Sequence, residues 1–346
     1  MLHNDNKKVA TSVGIARKLI TGMVIAFAVS APAQAAEPWF PIRTHNPFLQ
    51  IFGLPAYSGA ALVPAGTSAI DVSFDLANHA DAASTEREEV ILDGETYSFN
   101  FAYRTRFGER LELGVDVPLV AHSDGVLDEL IEGWHDLWGM TNSKRTGPPN
   151  QLRLLFDNPA APLVDITSGV SGLGDIRLGA AMPLGRTDLP RRITLRASLK
   201  LPTGDAEDLL GSGAADYSLG VYGDFPQAFG FEPLSISAHG GVLALGDSDL
   251  FSGIQESTVP FGGLAADWRL GGSWRAMAVM YFQGAYLDSE LEEVGGTTLQ
   301  LAVGGTYRLG ADGPVIGFGI IEDMVSDATV DFALHMSVRY GLGQGT

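Results

Sequence analysis

Residues 97–107 alternate with a period of two. Tyr97, Phe99, Phe101, Tyr103 and Phe107 fall on one face, broken only by Thr105, while Ser98, Asn100, Ala102, Arg104 and Arg106 fall on the other. Successive strand side chains point to opposite sides of a sheet, so this strand has one aromatic side and one hydrophilic, charged side. The pattern recurs along the chain. Ile193, Leu195, Ala197, Leu199 and Leu201 oppose Thr194, Arg196, Ser198 and Lys200; Leu299, Leu301, Val303, Tyr307 and Leu309 oppose Gln300, Thr306 and Arg308. Near the end Phe332, Leu334, Met336, Val338 and Tyr340 oppose Asp331, His335, Ser337 and Arg339. Repeated in this way behind an export signal, the alternation points to a barrel with lipid outside and a polar lumen.

The export signal is read from the first 35 residues. Lys7, Lys8, Arg17 and Lys18 form a basic region, residues 19–29 are apolar, and Ala33-Gln34-Ala35 is a small-residue cleavage site, so the mature chain is expected to begin at Ala36. A helix that spans a bilayer needs about 20 apolar residues; residues 19–29 are too few, and no longer apolar run follows. The chain has no cysteine, which fits a periplasmic or outer-membrane setting without disulfides. Its net charge of −19 leaves no basic stripe for nucleic-acid phosphates.

Alternation and turn chemistry predict strands at 69–78, 96–107, 111–122, 173–182, 192–202, 215–224, 234–245, 259–269, 274–286, 298–309, 314–322 and 331–340. The fold class is therefore all-β: a transmembrane antiparallel up-and-down β-barrel of about twelve strands over residues 69–346, with a helix in a long outward loop. The stretches 234–245 and 314–322 are glycine-rich or apolar on both faces, so their lumen sides are expected to be small or covered. Connections alternate between tight turns (108–110, 271–273, 310–313) and longer loops (79–95, 123–172, 203–214, 246–258, 287–297, 323–330). Short turns belong on the periplasmic side, which places both termini there. The outward loops hold much of the acid, including Glu86, Glu88, Asp205, Asp247, Asp288 and Glu290. Solvated loops account for it; carboxylates that share divalent cations with lipopolysaccharide are the sharper reading.

Within the longest loop, Leu127, Leu130, Ile131, Trp134 and Trp138 recur at helical spacing over residues 126–138, a stripe suited to packing over the barrel rim, narrowing the lumen, or meeting lipid or a partner. Residues 151–156 read as a short return strand. Before the barrel, residues 37–66 carry Trp39, Phe40, Phe48, Leu49, Ile51 and Phe52 among several prolines, too apolar for a free linker. The segment 36–68 is expected to pack in the lumen or against the periplasmic rim, with plugging as one open role.

No phosphate loop, paired-histidine metal motif or Gly-x-Ser-x-Gly elbow occurs, so neither a cofactor nor a metal is implied. His122-Ser123 and His239 near Ser237 are weak candidates for a lipid-modifying barrel enzyme, and no catalytic residue is assigned. The stronger constellation is the lumen-facing set Arg104, Arg106, Glu112, Asp116, Asp175, Arg177, Arg196, Lys200, Arg308 and Arg339. It reads either as a salt-bridged filling or as a charged path that selects solutes.

Together these segments resemble an uncharacterised family of Gram-negative outer-membrane barrels, domain of unknown function 3187. The resemblance is carried by Pro41-Ile42-Arg43-Thr44, Asn46-Pro47, Ile51-Phe52-Gly53-Leu54-Pro55, Ile131-Glu132, Trp134-His135, Pro149-Asn150, Gly172-Leu173-Gly174-Asp175, Glu322-Asp323 and Asp331-Phe332. It implies an outer-membrane location and no established activity. One departure is the tail 341–346 beyond Tyr340, where such barrels often finish on an aromatic. The expectation is a porin-like conduit for small solutes in the outer membrane of a Gram-negative bacterium. The alternative is a closed barrel with a structural or surface role through its acidic loops. Expected partners are outer-membrane lipid, lipopolysaccharide and the barrel-assembly machinery.

Overall fold

The structure is a computed structural model and describes residues 40–125, 151–185, 191–325 and 332–343. The expected export signal, residues 1–35, and the stripe Leu127, Leu130, Ile131, Trp134 and Trp138 lie outside the described residues.

Twelve strands close an antiparallel ring. They are β1 (Ser68–Ser84), β2 (Glu89–Phe107), β3 (Leu111–Ser123), β7 (Arg177–Pro183), β8 (Arg192–Lys200), β9 (Asp216–Pro226), β10 (Leu234–Ala244), β11 (Thr258–Gly271), β12 (Trp274–Gln283), β13 (Thr298–Arg308), β14 (Val315–Val325) and β15 (Phe332–Leu342). The ring closes where β1 pairs with β15, from Ser68↔Leu342 to Asn78↔Phe332, so the terminal strand runs two residues past Tyr340. Closure removes every edge, which satisfies the backbone groups that lipid could not.

Three shorter strands sit at the end that carries the long loops. β4 (Arg153–Asp157) pairs with the first residues of β2, β5 (Val164–Ile166) pairs with β4, and β6 (Val170–Leu173) pairs with the last part of β3. The expected strand 173–182 is thus two pieces. β3 pairs with β6 from Leu119 to His122 and with β7 from Glu112 to Asp116, while residues 174–176 leave the ladder beside Pro118. Proline offers no N–H to a partner strand; here the Gly174 N–H donates to the Pro118 carbonyl at 2.9 Å, and the chain then turns Asp175 inward.

The two faces follow the period-two pattern. Phe101, Leu113, Leu178, Leu219, Val242, Leu264, Val303, Phe318 and Met336 are exposed on the outside. Phe107, Phe229, Phe231, Trp268 and Trp274 collect at the short-turn end as an aromatic girdle. Tyr97, paired with Leu76 and Ala121, keeps the face of Phe99 but is only 8% exposed; it packs on Phe74 and donates its hydroxyl to Glu95.

β1 and β2 are longer than the sequence pattern suggested, and their extra residues rise beyond the ring. With β4 and β5 they form a sheet extension that buries Val90, Leu92, Leu154, Phe156, Val164 and Ile166 over the loop-end mouth. Glu88 pins this cap. Its carboxylate accepts from Asn158 Nδ2 at 2.8 Å, from the Glu290 N–H at 3.2 Å and from the Ser289 hydroxyl, so three loops meet on one side chain.

Candidate functional site: the lumen

Residues 40–63 occupy the interior of the ring. The segment begins at Phe40 midway along the wall, climbs to an apex at residues 46–52 under the loop-end cap, and descends to Val63 at the short-turn end before entering β1. Asn46 and Pro47 start the apex turn: the Asn46 Oδ1 accepts the Phe48 N–H at 3.0 Å, and its carbonyl accepts the Leu49 and Gln50 N–H groups. The Asn46 side-chain amide also donates to the Glu293 carbonyl at 2.9 Å, which ties the turn to an outward loop.

Aromatic packing holds the apex. Phe48 lies 5.8 Å from Phe156 and 6.4 Å from Phe251, and Phe52 stacks on Tyr286 at 5.2 Å, all fully buried. Lower down, the Phe40 ring meets the His335 ring edge-on at 5.6 Å. It rests where β13 and β14 carry Gly304 and Gly319; a Cβ on Gly304 would come within 2.7 Å of it. The glycine-rich lumen side of β14 is therefore covered by the segment itself. Tyr57 sits in a ring of wall aromatics, 4.9 Å from His239 and 6.4 Å from Tyr281, and its hydroxyl is 2.7 Å from Ser237 Oγ.

Polar bonds from the wall satisfy the backbone of the segment. Lys200 Nζ donates to the Ile51 carbonyl at 3.0 Å and sits 2.7 Å from Asp175 and 3.1 Å from Asp216. Asp216 also accepts the Gly53 N–H at 2.8 Å, and Arg177 donates to the Phe52 carbonyl at 3.3 Å. On the descending leg Arg196 donates to the Gly59 carbonyl at 3.2 Å and the Ala61 carbonyl at 2.8 Å, and pairs with Glu112 at 3.1 Å. Glu112 in turn accepts the Val63 N–H at 2.7 Å, Asp224 the Ala60 N–H at 3.0 Å, and Thr194 donates to the Ala60 carbonyl at 2.6 Å. A backbone without secondary structure can be buried only with such partners.

The charged residues singled out by alternation divide into three groups. Glu112, Asp116, Arg106, Arg177, Arg196 and Lys200 reach the lumenal segment: Arg106 through the Val63 carbonyl at 3.1 Å, and Asp116 through Arg43 at 3.7 Å. Arg104, Asp175 and Arg339 are bound into the wall. Arg339 and Arg104 share Asp71, the latter at 3.8 Å, and Asp175 accepts Lys200 together with the N–H groups of Thr203, Gly204 and Ser212. Arg308 stands apart at the short-turn end, in a cleft of about 330 Å³ with Arg269 and Arg275.

Alternation missed Asp71 and Asp216 as partners of these cations, Asp75 beside His335, Asp224 as an acceptor for the Ala60 N–H, and Arg43 and His45 on the segment. Asp75 lies 2.6 Å from His335 and 3.9 Å from His45. Asp216 and Asp224 do sit on the hydrophilic face of their strand, a signal that was available. Among the described residues no cluster of His, Cys, Asp or Glu has the geometry of a metal site.

The chain belongs to the family described as Protein of unknown function (DUF3187), whose model matches residues 15–342. No curated protein matched. An outer-membrane channel from Pseudomonas putida F1 aligns with a TM-score of 0.53 at 14% identity, over 81% of this chain and 97% of that one. The NanC porin aligns at 0.42 and 6% identity over 80% and 100% of the two chains. The toluene transporter TbuX of Ralstonia pickettii aligns at 0.40 and 12% identity over 82% and 90%. At these identities the likeness is one of fold, an outer-membrane barrel.

Proposed function

We propose that this protein is an outer-membrane conduit for small solutes, closed by its own residues 40–63. The observation that carries the reading is how those residues are attached. They contribute no strand to the ring, and wall side chains such as Lys200, Arg196 and Asp216 hold their backbone. Each such bond exchanges for a bond to water at a small net cost, about 0.5–1.5 kcal/mol or somewhat more where a charge is involved. Wall side chains fill the lumen of a barrel of about eight strands, and diameter grows with strand number. In this wider ring the segment fills the space, with Phe40 seated against Gly319.

Reconstitution into planar bilayers tests the reading. The whole protein is expected to be silent or to open rarely, and a variant lacking residues 40–60 to conduct in steps, provided it keeps the heat-modifiable migration of a folded barrel. A folded, silent deletion variant would favour the alternative, a closed barrel acting at the cell surface. The observation on that side is the loop-end cap that Glu88 pins.

A further inference from the structure

Between the ascending leg of the plug and strands β2, β3 and β7 lies a cavity of about 40 Å³, bordered by Arg43, Thr44, His45, Asn100 and Arg177. Each of the five presents a buried polar atom with no hydrogen-bond partner among the described residues: Arg43 Nη1, Thr44 Oγ1, His45 Nε2, Asn100 Oδ1 and Arg177 Nε. Thr44, His45, Asn100 and Arg177 are each no more than 9% exposed. An unpaired buried polar atom is costly, so five on residues around one small space call for an occupant.

The chemistry of the atoms selects the occupant. The guanidinium nitrogens donate only, the threonine hydroxyl and the imidazole can each donate, and the asparagine amide presents a donor when its two ends are exchanged. Of the carboxylates nearby, Asp116 pairs with Arg43, Asp175 and Asp216 share Lys200, and Asp75 hydrogen-bonds the His335 ring; Asp75 and Asp175 also border the cavity. Arg177 has no carboxylate within 4.0 Å among the described residues; the Phe52 carbonyl at 3.3 Å is its hydrogen-bond acceptor. The Arg177 Nε has no partner, while Nη2 reaches one backbone carbonyl, so the guanidinium can still give a charge-assisted hydrogen bond to a carboxylate oxygen. A water needs about 10–15 Å³ of such space, so the cavity suits a group of three or four heavy atoms. Arg177 also borders a second cavity of about 80 Å³ on the descending side, beside Pro55 and Ala56, where a short substituent could extend.

We propose that this cavity is a binding site for a small organic monocarboxylate, held by Arg177 and Arg43 with Thr44 and Asn100. The proposal deepens the conduit reading and rests on it for the role of the ligand as a solute. Because Arg43 and Thr44 belong to the plug and Arg177 to the wall, the ligand bridges the two. A bound carboxylate therefore stabilises the seated plug.

Calorimetric titration of the whole detergent-folded protein with acetate, and with neutral acetamide of the same shape, tests the site without any variant. Acetate is expected to bind saturably and acetamide to bind at least about tenfold more weakly, as befits a charge-assisted bond. Equal heats from the two, or none from either, would mean that the cavity holds water only and would overturn the proposal. Arg177→Gln is expected to lose acetate binding by about tenfold or more, and Thr44→Val, which leaves the wall untouched, to weaken it less. Retained affinity in a folded Arg177→Gln barrel would also overturn it. Conductance separates this from the conduit reading. Acetate binding by a protein whose plug-deleted form is silent keeps the site and removes the conduit; an open plug-deleted pore from a protein that never bound acetate does the reverse.

Discussion

The carboxylate of Asp216 accepts the backbone N–H of Gly53 at 2.8 Å, and a Cβ on Gly53 would come within 2.7 Å of the Asp216 Cβ. One bond thus joins the lumenal segment to the wall at a distance that only glycine permits. Gly53→Val is therefore expected to lift the apex off β9 while leaving the barrel closed. Bilayer recordings should show bursts of conductance absent from the parent, and the segment 40–60 should become open to limited proteolysis at unchanged heat-modifiable migration. A variant as silent and as protease-resistant as the parent would show that the Gly53 contact does not hold the plug.

Lys200 is 1% exposed and lies between Asp175 and Asp216, with the Ile51 carbonyl and the Ser212 hydroxyl as further acceptors. Removing the cation leaves two buried carboxylates facing each other. Lys200→Met should cost about 3–5 kcal/mol, read as a lower denaturant midpoint for the folded barrel. Adding Asp175→Asn should restore part of the loss, since it removes one of the stranded charges. Purely additive losses in that double-mutant cycle would count against the shared ion cluster.

Phe40 is 1% exposed over Gly304 and Gly319. Phe40→Ala should weaken plug seating by roughly 3–5 kcal/mol, the usual cost of emptying an aromatic site, and should raise the frequency of channel opening. Gly319→Ala should act in the same direction, since a Cβ there comes within 3.2 Å of the Phe40 ring. Opposite effects of the two variants on opening would contradict the seating geometry.

Acid is expected to loosen the plug. Burial holds the His45 imidazole below its usual pKa of 6.5, a trend that the Asp75 carboxylate opposes and that His335 and Arg43 reinforce. The seated state therefore prefers the neutral ring, whereas a wetted, displaced segment takes up a proton near pH 6.5. Seating is at full strength above that pH and weakens as pH falls below it, because the displaced state binds more protons. Open probability measured from pH 8 to pH 5 should rise toward the acid side, and His45→Gln should flatten the rise. An unchanged slope in that variant would assign the pH response to another group.

Much of the barrel was legible because its signal is local. The period of two at Thr194, Arg196, Ser198 and Lys200 needs only the pleat to place these side chains on one face. The break between β6 and β7 was not legible, since Gly172–Asp175 reads as strand until Pro118 of a distant segment is seen beside it. The extra height of β1 and β2 was hidden for a similar reason. Glu89 and Asp93 look like loop acid until β4 pairs alongside. The apolar character of residues 40–63 was plain, but its placement was not, because no periodicity says which wall a coil will meet.

From the sequence alone came the two-faced strands, their number, and the sign and side of their charged residues, all consequences of short-range geometry and solvent preference. The tertiary structure alone decided what those charges do. Closing the ring brings Lys200, Asp216, Arg196 and Glu112 around one irregular stretch of chain, and a backbone buried without secondary structure must take its hydrogen bonds from whatever polar groups surround it. The same closure left the Arg177 Nε without a partner beside Arg43, an outcome of long-range packing that no reading of neighbours along the chain contains.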